Sequence, residues 1–288
     1  MNRKVDFFIV GAAKSGTTSV FRHLKAHPEI FLPRDKEPHF FGDQRPKIKY
    51  GLYPDFESYM SLFRNAKDGQ IWGEGSTAYL YSETAPQEVF RHNPKAKILI
   101  LLRDPRDRAY SLYWHHRRDF HEKVSFEDAL ALEDERIAQK APFGFHYLKS
   151  GLYYDSVRRW LETFGKDQVR IYTMEDLKQD SSSVMHDICA FLGVKEIEIS
   201  TEKIHNRSGE HRSRLISYVF ARNNRFRRVA KRILPHRVAR VREIIVQRNL
   251  VQPEEMAEST RDRLTALFRP DIERLQKLIN RDLSGWMK

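Results

Sequence analysis

Residues 98–102 read Ile98-Leu99-Ile100-Leu101-Leu102, five apolar side chains in a row with no polar alternation. A strand of this kind has no face for water. It must therefore lie inside a sheet covered on both sides, as parallel sheets in α/β proteins are. The surrounding strand reads 97–102, and three other short runs rich in β-branched and aromatic residues, 5–10, 71–73 and 169–172, are candidate neighbours. Helical patterns fill the intervals at 16–26, 84–91, 105–120, 126–138 and 152–164. Strand and helix in alternation predict a single α/β domain over residues 1–288, with a central parallel sheet flanked by helices and a helical C-terminal region. Ligands in such sheets bind beyond the carboxyl ends of the strands, so chemistry is expected after Val10 and Leu102.

The chain is 40% hydrophobic and 31% charged, which excludes a disordered or fibrous protein. No apolar stretch approaches the roughly 20 residues that a membrane span needs. Met1-Asn2-Arg3-Lys4-Val5-Asp6 carries no signal-peptide pattern. The one cysteine, Cys189, sits among Ile188, Ala190, Phe191 and Leu192 on an expected helix face and reads as core. A reducing, cytoplasmic setting is expected, with peripheral attachment to a membrane left open.

The first strand runs into Gly11-Ala12-Ala13-Lys14-Ser15-Gly16-Thr17-Thr18-Ser19, with a helix expected from about Thr17. Small residues let a backbone wrap an oxyanion, and the free N–H groups of a helix N-terminus carry partial positive charge toward it. The spacing approximates the nucleoside triphosphate loop G-x-x-x-x-G-K-[ST], with Gly11, Gly16 and Thr18 in place. Thr17, however, occupies the lysine position, and the loop's lysine, Lys14, stands at its tip. A lysine there meets a single 5′-phosphate and its leaving-group oxygen rather than a β/γ pair. The central strand also ends in Arg103, one residue before Asp104, which weakens the case for magnesium-assisted triphosphate chemistry. A nucleotide or small-molecule kinase is the alternative to weigh.

Arg103-Asp104-Pro105-Arg106-Asp107-Arg108-Ala109-Tyr110-Ser111 begins where the central strand ends. Asp104 suits an N-cap, Pro105 the first helical position, and Asp107 the acidic position three after the cap. Arg103 is then left at the sheet edge with Ser111 two turns along the helix. A guanidinium and a hydroxyl so placed can clamp a second phosphate.

Together these segments resemble the family of sulfotransferases that use 3′-phosphoadenosine 5′-phosphosulfate (PAPS). That fold is like the P-loop NTPases, and the similarity is greatest to the heparan-sulfate-type and bacterial branch. In that family Lys-x-Gly-Thr-Thr holds the 5′-phosphosulfate, and an Arg with a Ser eight residues later holds the 3′-phosphate. The resemblance implies that Lys14, Ser15, Gly16, Thr17 and Thr18 take the first role, and Arg103 and Ser111 the second. It extends to Lys36-Glu37-Pro38-His39-Phe40-Phe41, which implies Glu37 as catalytic base beside Lys14. It also covers Gly151-Leu152-Tyr153, Glu175-Asp176-Leu177, Phe191-Leu192-Gly193 and Asp282-Leu283-Ser284-Gly285-Trp286. Residues 206–214 resemble a late loop that closes over PAPS, which implies Arg212 and Arg214 as further 3′-phosphate contacts. The implied activity is sulfuryl transfer to a hydroxyl or amine of a glycan, lipid or small natural product, without a metal, leaving adenosine 3′,5′-bisphosphate (PAP). One departure matters. Glycosaminoglycan sulfotransferases carry Glu-Lys-Ser after the second strand, whereas this chain has Glu74-Gly75-Ser76, which argues against a glycosaminoglycan acceptor.

Other residues read as structural. His39, two residues after Glu37, is a candidate to assist it but is expected to be a packed or exposed histidine, Arg106 and Arg108 to pair on a helix or the surface, and Trp72, Trp114, Trp160 and Trp286 to be core. No histidine pair with helical spacing and a partner acid suggests a metal site. The formal charge of +12 gathers in residues 212–248, where twelve Lys and Arg face one acid, Glu243. Apolar residues recur there at helical spacing, so 205–250 reads as a basic helical lid or cap. Its charge is either simply solvated or turned toward an anionic acceptor or an anionic membrane surface. A noncatalytic protein that binds nucleotide or nucleic acid remains as an alternative. The segment carries no zinc pattern or RNA-binding motif, so no specific nucleic acid is expected.

Overall fold

A computed structural model of the chain describes residues 3–34, 36–43, 53–196, 210–211, 250–251 and 254–288. Among them, β1 (Phe7–Gly11), β2 (Ile30–Phe31), β3 (Ile71–Gly75), β4 (Lys97–Leu102) and β5 (Val169–Thr173) form a parallel sheet in the order β2-β3-β1-β4-β5. The helices between them are α1 (Thr17–Lys25), α2 (Phe56–Met60), α3 (Ala85–His92), α4 (Pro105–Arg118), α5 (Phe126–Ala131), α6 (Glu133–Ala138) and α7 (Tyr154–Phe164), and α8 (Met174–Gln179) and α9 (Ser181–Leu192) follow β5. Two short strands, β6 (Glu210–His211) and β7 (Leu250–Val251), pair antiparallel beside α4, and α10 (Glu258–Ile279) follows them.

The central strand is buried on both faces, as its composition requires. Ile98, Ile100 and Leu102 join Phe8 and Val10 in one core, with Val89 of α3, Trp160 of α7 and Phe268 of α10. Leu99 and Leu101 join Phe7 and Ile9 in a second core on the other face, under Val20, Phe21 and Leu24 of α1 and Ile188 of α9. Alternate residues of the same strands thus feed opposite layers. Each such side chain contributes about 1.5–3 kcal/mol on full burial, so the sheet centre carries a large share of the stabilising burial. Cys189 and all four tryptophans are buried, as expected. The β1–β3 register sets Phe7 opposite Gly73, and the Phe7 ring lies where a Cβ on residue 73 would come within 2.1 Å of it.

Several elements differ from the sequence expectation. The helix expected over 126–138 is two helices broken at Leu132, because Glu133 turns inward to accept the Leu148 and Lys149 N–H groups at 2.5 and 2.7 Å. The third strand continues past residue 73 through Glu74, which is buried against hydroxyl groups rather than apolar neighbours. β2 is two residues long, too short to show any periodicity. Asp104 does cap α4, accepting from Arg106 N at 2.9 Å, but Asp107 binds Arg261 of α10 at 2.7 Å instead of closing a capping box. Arg106 and Arg108 are buried, not superficial. Arg106 is held by Asp104 at 2.6 Å, by Thr265 at 2.7 Å and by the Lys288 carbonyl at 2.6 Å, while Arg108 donates to the Tyr147 carbonyl.

Candidate active site

β1 ends at Gly11 and α1 starts at Thr17, so residues 12–16 loop over a helix N-terminus. Gly16 is the N-cap, with φ 87°, a left-handed conformation that glycine adopts freely. No side chain caps α1. Ser15 is fully buried, and its Oγ has no hydrogen-bond partner among the described residues. Unclaimed helix N–H groups and an orphaned hydroxyl fit the 5′ end of PAPS, because an anion satisfies both. Lys14, at the tip, also has positive φ, 69°. Burial, and then Arg118 and Arg103, push its ammonium down to about 8. Cations crowded in this way gain from a bound anion.

β4, the neighbour of β1 in the sheet, delivers Arg103, whose Nη1 donates to the Lys14 carbonyl at 3.3 Å. The Tyr153 hydroxyl in turn donates to the Arg103 carbonyl at 3.0 Å. The strand-end arginine therefore touches the phosphate loop itself. Ser111 is buried on α4. Arg118, at the far end of α4, lies 2.6 Å from His115 Nδ1 and 3.0 Å from Asp119. Burial, followed by Lys14 and Arg118, holds the His115 imidazole down to about 3, which leaves it neutral in this cationic setting. Sequence reasoning did not single out Arg118 or His115. Arg212 and Arg214 lie outside the described residues, as does most of the 205–250 segment.

The segment after β2 brings Glu37 to the carboxyl end of β3, where its N–H bonds the Gly75 carbonyl at 2.9 Å. Its carboxylate accepts from Thr77 Oγ1 at 2.9 Å and faces His39 Nε2 at 3.2 Å and Lys36 Nζ at 3.4 Å. Burial alone would raise its pKa, but His39, Lys36 and Thr77 outweigh it and hold the group down to about 2. His39 is thus a partner of Glu37 rather than simply packed. Lys36 Nζ also donates to the Thr17 and Thr18 hydroxyls at 3.0 and 3.3 Å, linking the carboxylate to the phosphate loop. Glu37 and His39 share positive φ with Lys14, at 66° and 49°. Side-chain-bearing residues in that region cost about 1–3 kcal/mol each and persist where surrounding contacts hold them.

Those contacts lead to Glu74. It is fully buried and accepts from Ser76 Oγ at 2.6 Å, Tyr59 at 2.8 Å and Tyr79 at 3.1 Å. Ser76 Oγ accepts the His39 N–H at 3.0 Å, and the Tyr79 hydroxyl accepts those of Phe40 and Phe41 at 2.9 and 3.1 Å. One carboxylate therefore anchors, through two hydroxyls, the backbone that follows Glu37. Burial pushes Glu74 up to about 7. Two neighbouring carboxyl groups are thus driven apart in acidity, a pattern typical of sites where acid and base roles are divided. The available signal was a lone acid among small residues at the end of a strand.

Among the described residues, no group of three or more His, Cys, Asp or Glu side chains could hold a metal. None of their helices is long and apolar enough to cross a membrane. A parallel sheet with a phosphate loop after one strand, an arginine after its neighbour on one side and a supported carboxylate at the end of its neighbour on the other defines a group transferase of the P-loop-like class.

The sequence matches the sulfotransferase domain family over residues 4–214. It is 31% identical over 201 residues to the bifunctional heparan sulfate N-deacetylase/N-sulfotransferase 3 of Homo sapiens, covering 67% of this chain and 23% of that protein. It is 26% identical over 260 residues to carbohydrate sulfotransferase 15 of Rattus norvegicus, covering 70% and 46%. The chain therefore spans less than half the length of these relatives. The crystal structure of a sulfotransferase from Alicyclobacillus acidocaldarius superposes with a TM-score of 0.76 at 35% identity, covering 99% of this chain and 100% of that one. A mouse sulfotransferase complexed with PAP shares the fold, with a TM-score of 0.51 at 18% identity over 94% and 89% of the two chains. The chain belongs to the family of PAPS-dependent sulfotransferases.

Proposed function

We propose that this protein transfers the sulfuryl group of PAPS to a hydroxyl or amine of an acceptor, with Glu37 as the base. The observation that carries the reading is the continuity of base and phosphate loop: Glu37 is tied through Lys36 to the hydroxyls of Thr17 and Thr18. When bound, PAPS supplies an activated sulfuryl group and a phosphate leaving group. Ser15, Gly16, Thr17 and Thr18 hold the 5′ end at the α1 N-terminus, and Arg103 with Ser111 holds the 3′-phosphate. Glu37 takes the acceptor's proton at a carboxylate oxygen as the bond to sulfur forms. Lys14 meets the negative charge left on the departing phosphate oxygen. Positioning and electrostatics carry such a reaction, so the reading assigns no metal.

The acceptor is a glycan, a lipid or a small natural product. Heparan sulfate and carbohydrate acceptors belong to the named relatives, and Gly75 in place of a lysine argues against a glycosaminoglycan here. Residues 205–250, with Arg212 and Arg214, close over the donor as a basic lid, an assignment supported by the pairing of β6 with β7 beside α4, the helix of Ser111. The lone buried Cys189 favours a cytoplasmic setting. The test is transfer of labelled sulfate from PAPS into fractionated extract of the source cells, with mass analysis of the labelled product. Lys14→Ala and Glu37→Gln should each lower kcat by about 10² or more. Glu37→Gln should bind PAPS as the wild type does, and near-normal turnover in that variant removes Glu37 from the base role.

A further inference from the structure

Lys36 holds a place that the reaction as described leaves without a task. Its Nζ lies 3.0 Å from Thr17 Oγ1, 3.3 Å from Thr18 Oγ1 and 3.4 Å from Glu37 Oε1, and its side chain is only 15% exposed. A lysine ammonium has three protons to donate, and these are three acceptors. Two of them are hydroxyls of the first turn of α1, the same turn whose N-terminus fits an anion. A hydroxyl that accepts from Lys36 keeps its own proton free to donate to that anion. The ammonium therefore stands at the seam between phosphate cradle and base.

The sheet borders it there. Gly75 ends β3, and a Cβ on that residue would sit 3.4 Å from Lys36 Cε and 3.0 Å from Phe21 Cδ2. The lysine stem thus lies within van der Waals reach of the strand end. Backbone pairing of Glu37 N–H with the Gly75 carbonyl at 2.9 Å then fixes the segment from which the stem departs. Three cations, Lys14, Arg103 and Lys36, converge on the loop while, among the described residues, Glu37 is the one carboxylate bonded to Lys36, an imbalance that a polyanionic ligand corrects.

We propose that Lys36 is a catalytic residue that binds the non-bridging oxygens of the transferring sulfuryl group, a role separate from that of Lys14 on the leaving oxygen. The proposal rests on the sulfotransferase reading. In the transfer, the sulfur–oxygen bond to the 5′-phosphate breaks with its electron pair going to that phosphate oxygen. A bond forms between sulfur and the acceptor atom, and the acceptor's proton goes to Glu37. Lys36 gains no proton and loses none. By turning toward the sulfuryl oxygens it also withdraws from Glu37, one of whose acidifying neighbours it is, so the carboxylate becomes a stronger base when the donor is in place.

Calorimetric titration of the full chain with PAPS and with PAP separates this role from a structural one, because the two ligands differ by the sulfuryl group alone. Lys36→Met should weaken PAPS about tenfold or more, the loss typical of a hydrogen bond to a charged group, while PAP changes by less than about twofold. Lys36→Arg should recover most of the PAPS affinity. Turnover of Lys36→Met should fall by about 10². Equal weakening of PAPS and PAP, or no weakening of either, overturns the assignment of Lys36. Wild-type protein that binds neither ligand overturns the underlying sulfotransferase reading instead, so the two failures are distinct.

Discussion

Replacing Glu74 by Gln should change how folding stability responds to pH. Burial raises the Glu74 carboxyl from the ordinary 4.5 to about 7. Between these values the native protein keeps a proton that the unfolded chain has released, so stability falls as pH rises through this window. The contribution is complete below pH 4.5 and gone above about 7. A gap of that width corresponds to about 3 kcal/mol, or roughly 6 °C in Tm at about 2 °C per kcal/mol for a chain of this size. Gln keeps one acceptor oxygen for Tyr59 and Tyr79 but turns an N–H₂ toward Ser76 Oγ, which adds a constant offset. The diagnostic quantity is therefore the slope. The Tm of wild type minus that of Glu74→Gln, measured by circular dichroism from pH 4.5 to 7.5, should drop by roughly 6 °C as pH rises. Burial holds the Tyr59 and Tyr79 phenols well above their usual range, so both stay neutral throughout. Repeating the comparison in a His39→Gln background removes the imidazole. A difference that stays flat across the window would refute the idea that this carboxyl is kept protonated by burial.

Arg103→Ala should cost PAPS about 1.5–3 kcal/mol more than it costs adenosine 5′-phosphosulfate, which lacks the 3′-phosphate; Ser111→Ala should do the same more mildly, and equal losses for the two nucleotides place the clamp elsewhere. Gly73→Ala drives a methyl to within 2.1 Å of the Phe7 ring and should destabilise the fold by about 3 kcal/mol or more in urea denaturation, whereas a near-normal midpoint contradicts the β1–β3 register. The basic residues of 212–248 should bring the protein down with anionic but not neutral vesicles and release it as salt rises. Charge reversal at Arg227, Arg228 and Lys231 tests their other use, because lost turnover with unchanged PAPS binding assigns them to the acceptor.

The strand ends, loops and helix starts on the proposed donor side were legible because their signals are local. Gly11 to Ser19 and Arg103 to Ser111 each carry strand end, loop and helix start within nine residues, and the core reading of Cys189 needed only its neighbours. What escaped depends on distant partners. Arg106 reads as a surface residue until Thr265 and Lys288 are brought against it, and Glu74 looks like the end of a strand until Tyr59 and Tyr79 close over it. The sequence leaves His39 between a structural role and one beside Glu37, because nothing in its own segment shows which way the ring turns. The break at Leu132 has the same origin, since the inward pull on Glu133 comes from Leu148 and Lys149.

The two segments proposed to hold the donor's phosphates grow from β1 and β4, which are hydrogen-bonded neighbours. Adjacent strands keep a spacing of about 4.8 Å that no side chain sets, so the measure of the donor nucleotide is inherited with the sheet. The opposite half of the site has no such guarantee. Glu37, His39 and Phe143 stand on connecting segments held by hydroxyl contacts and ring edges, with the His39 and Phe143 rings 6.2 Å apart. On the proposed function, descendants of this chain can therefore exchange residues 139–147 for a new acceptor while keeping Glu37 and the old currency of sulfate, a division of labour between a fixed frame and a graftable loop.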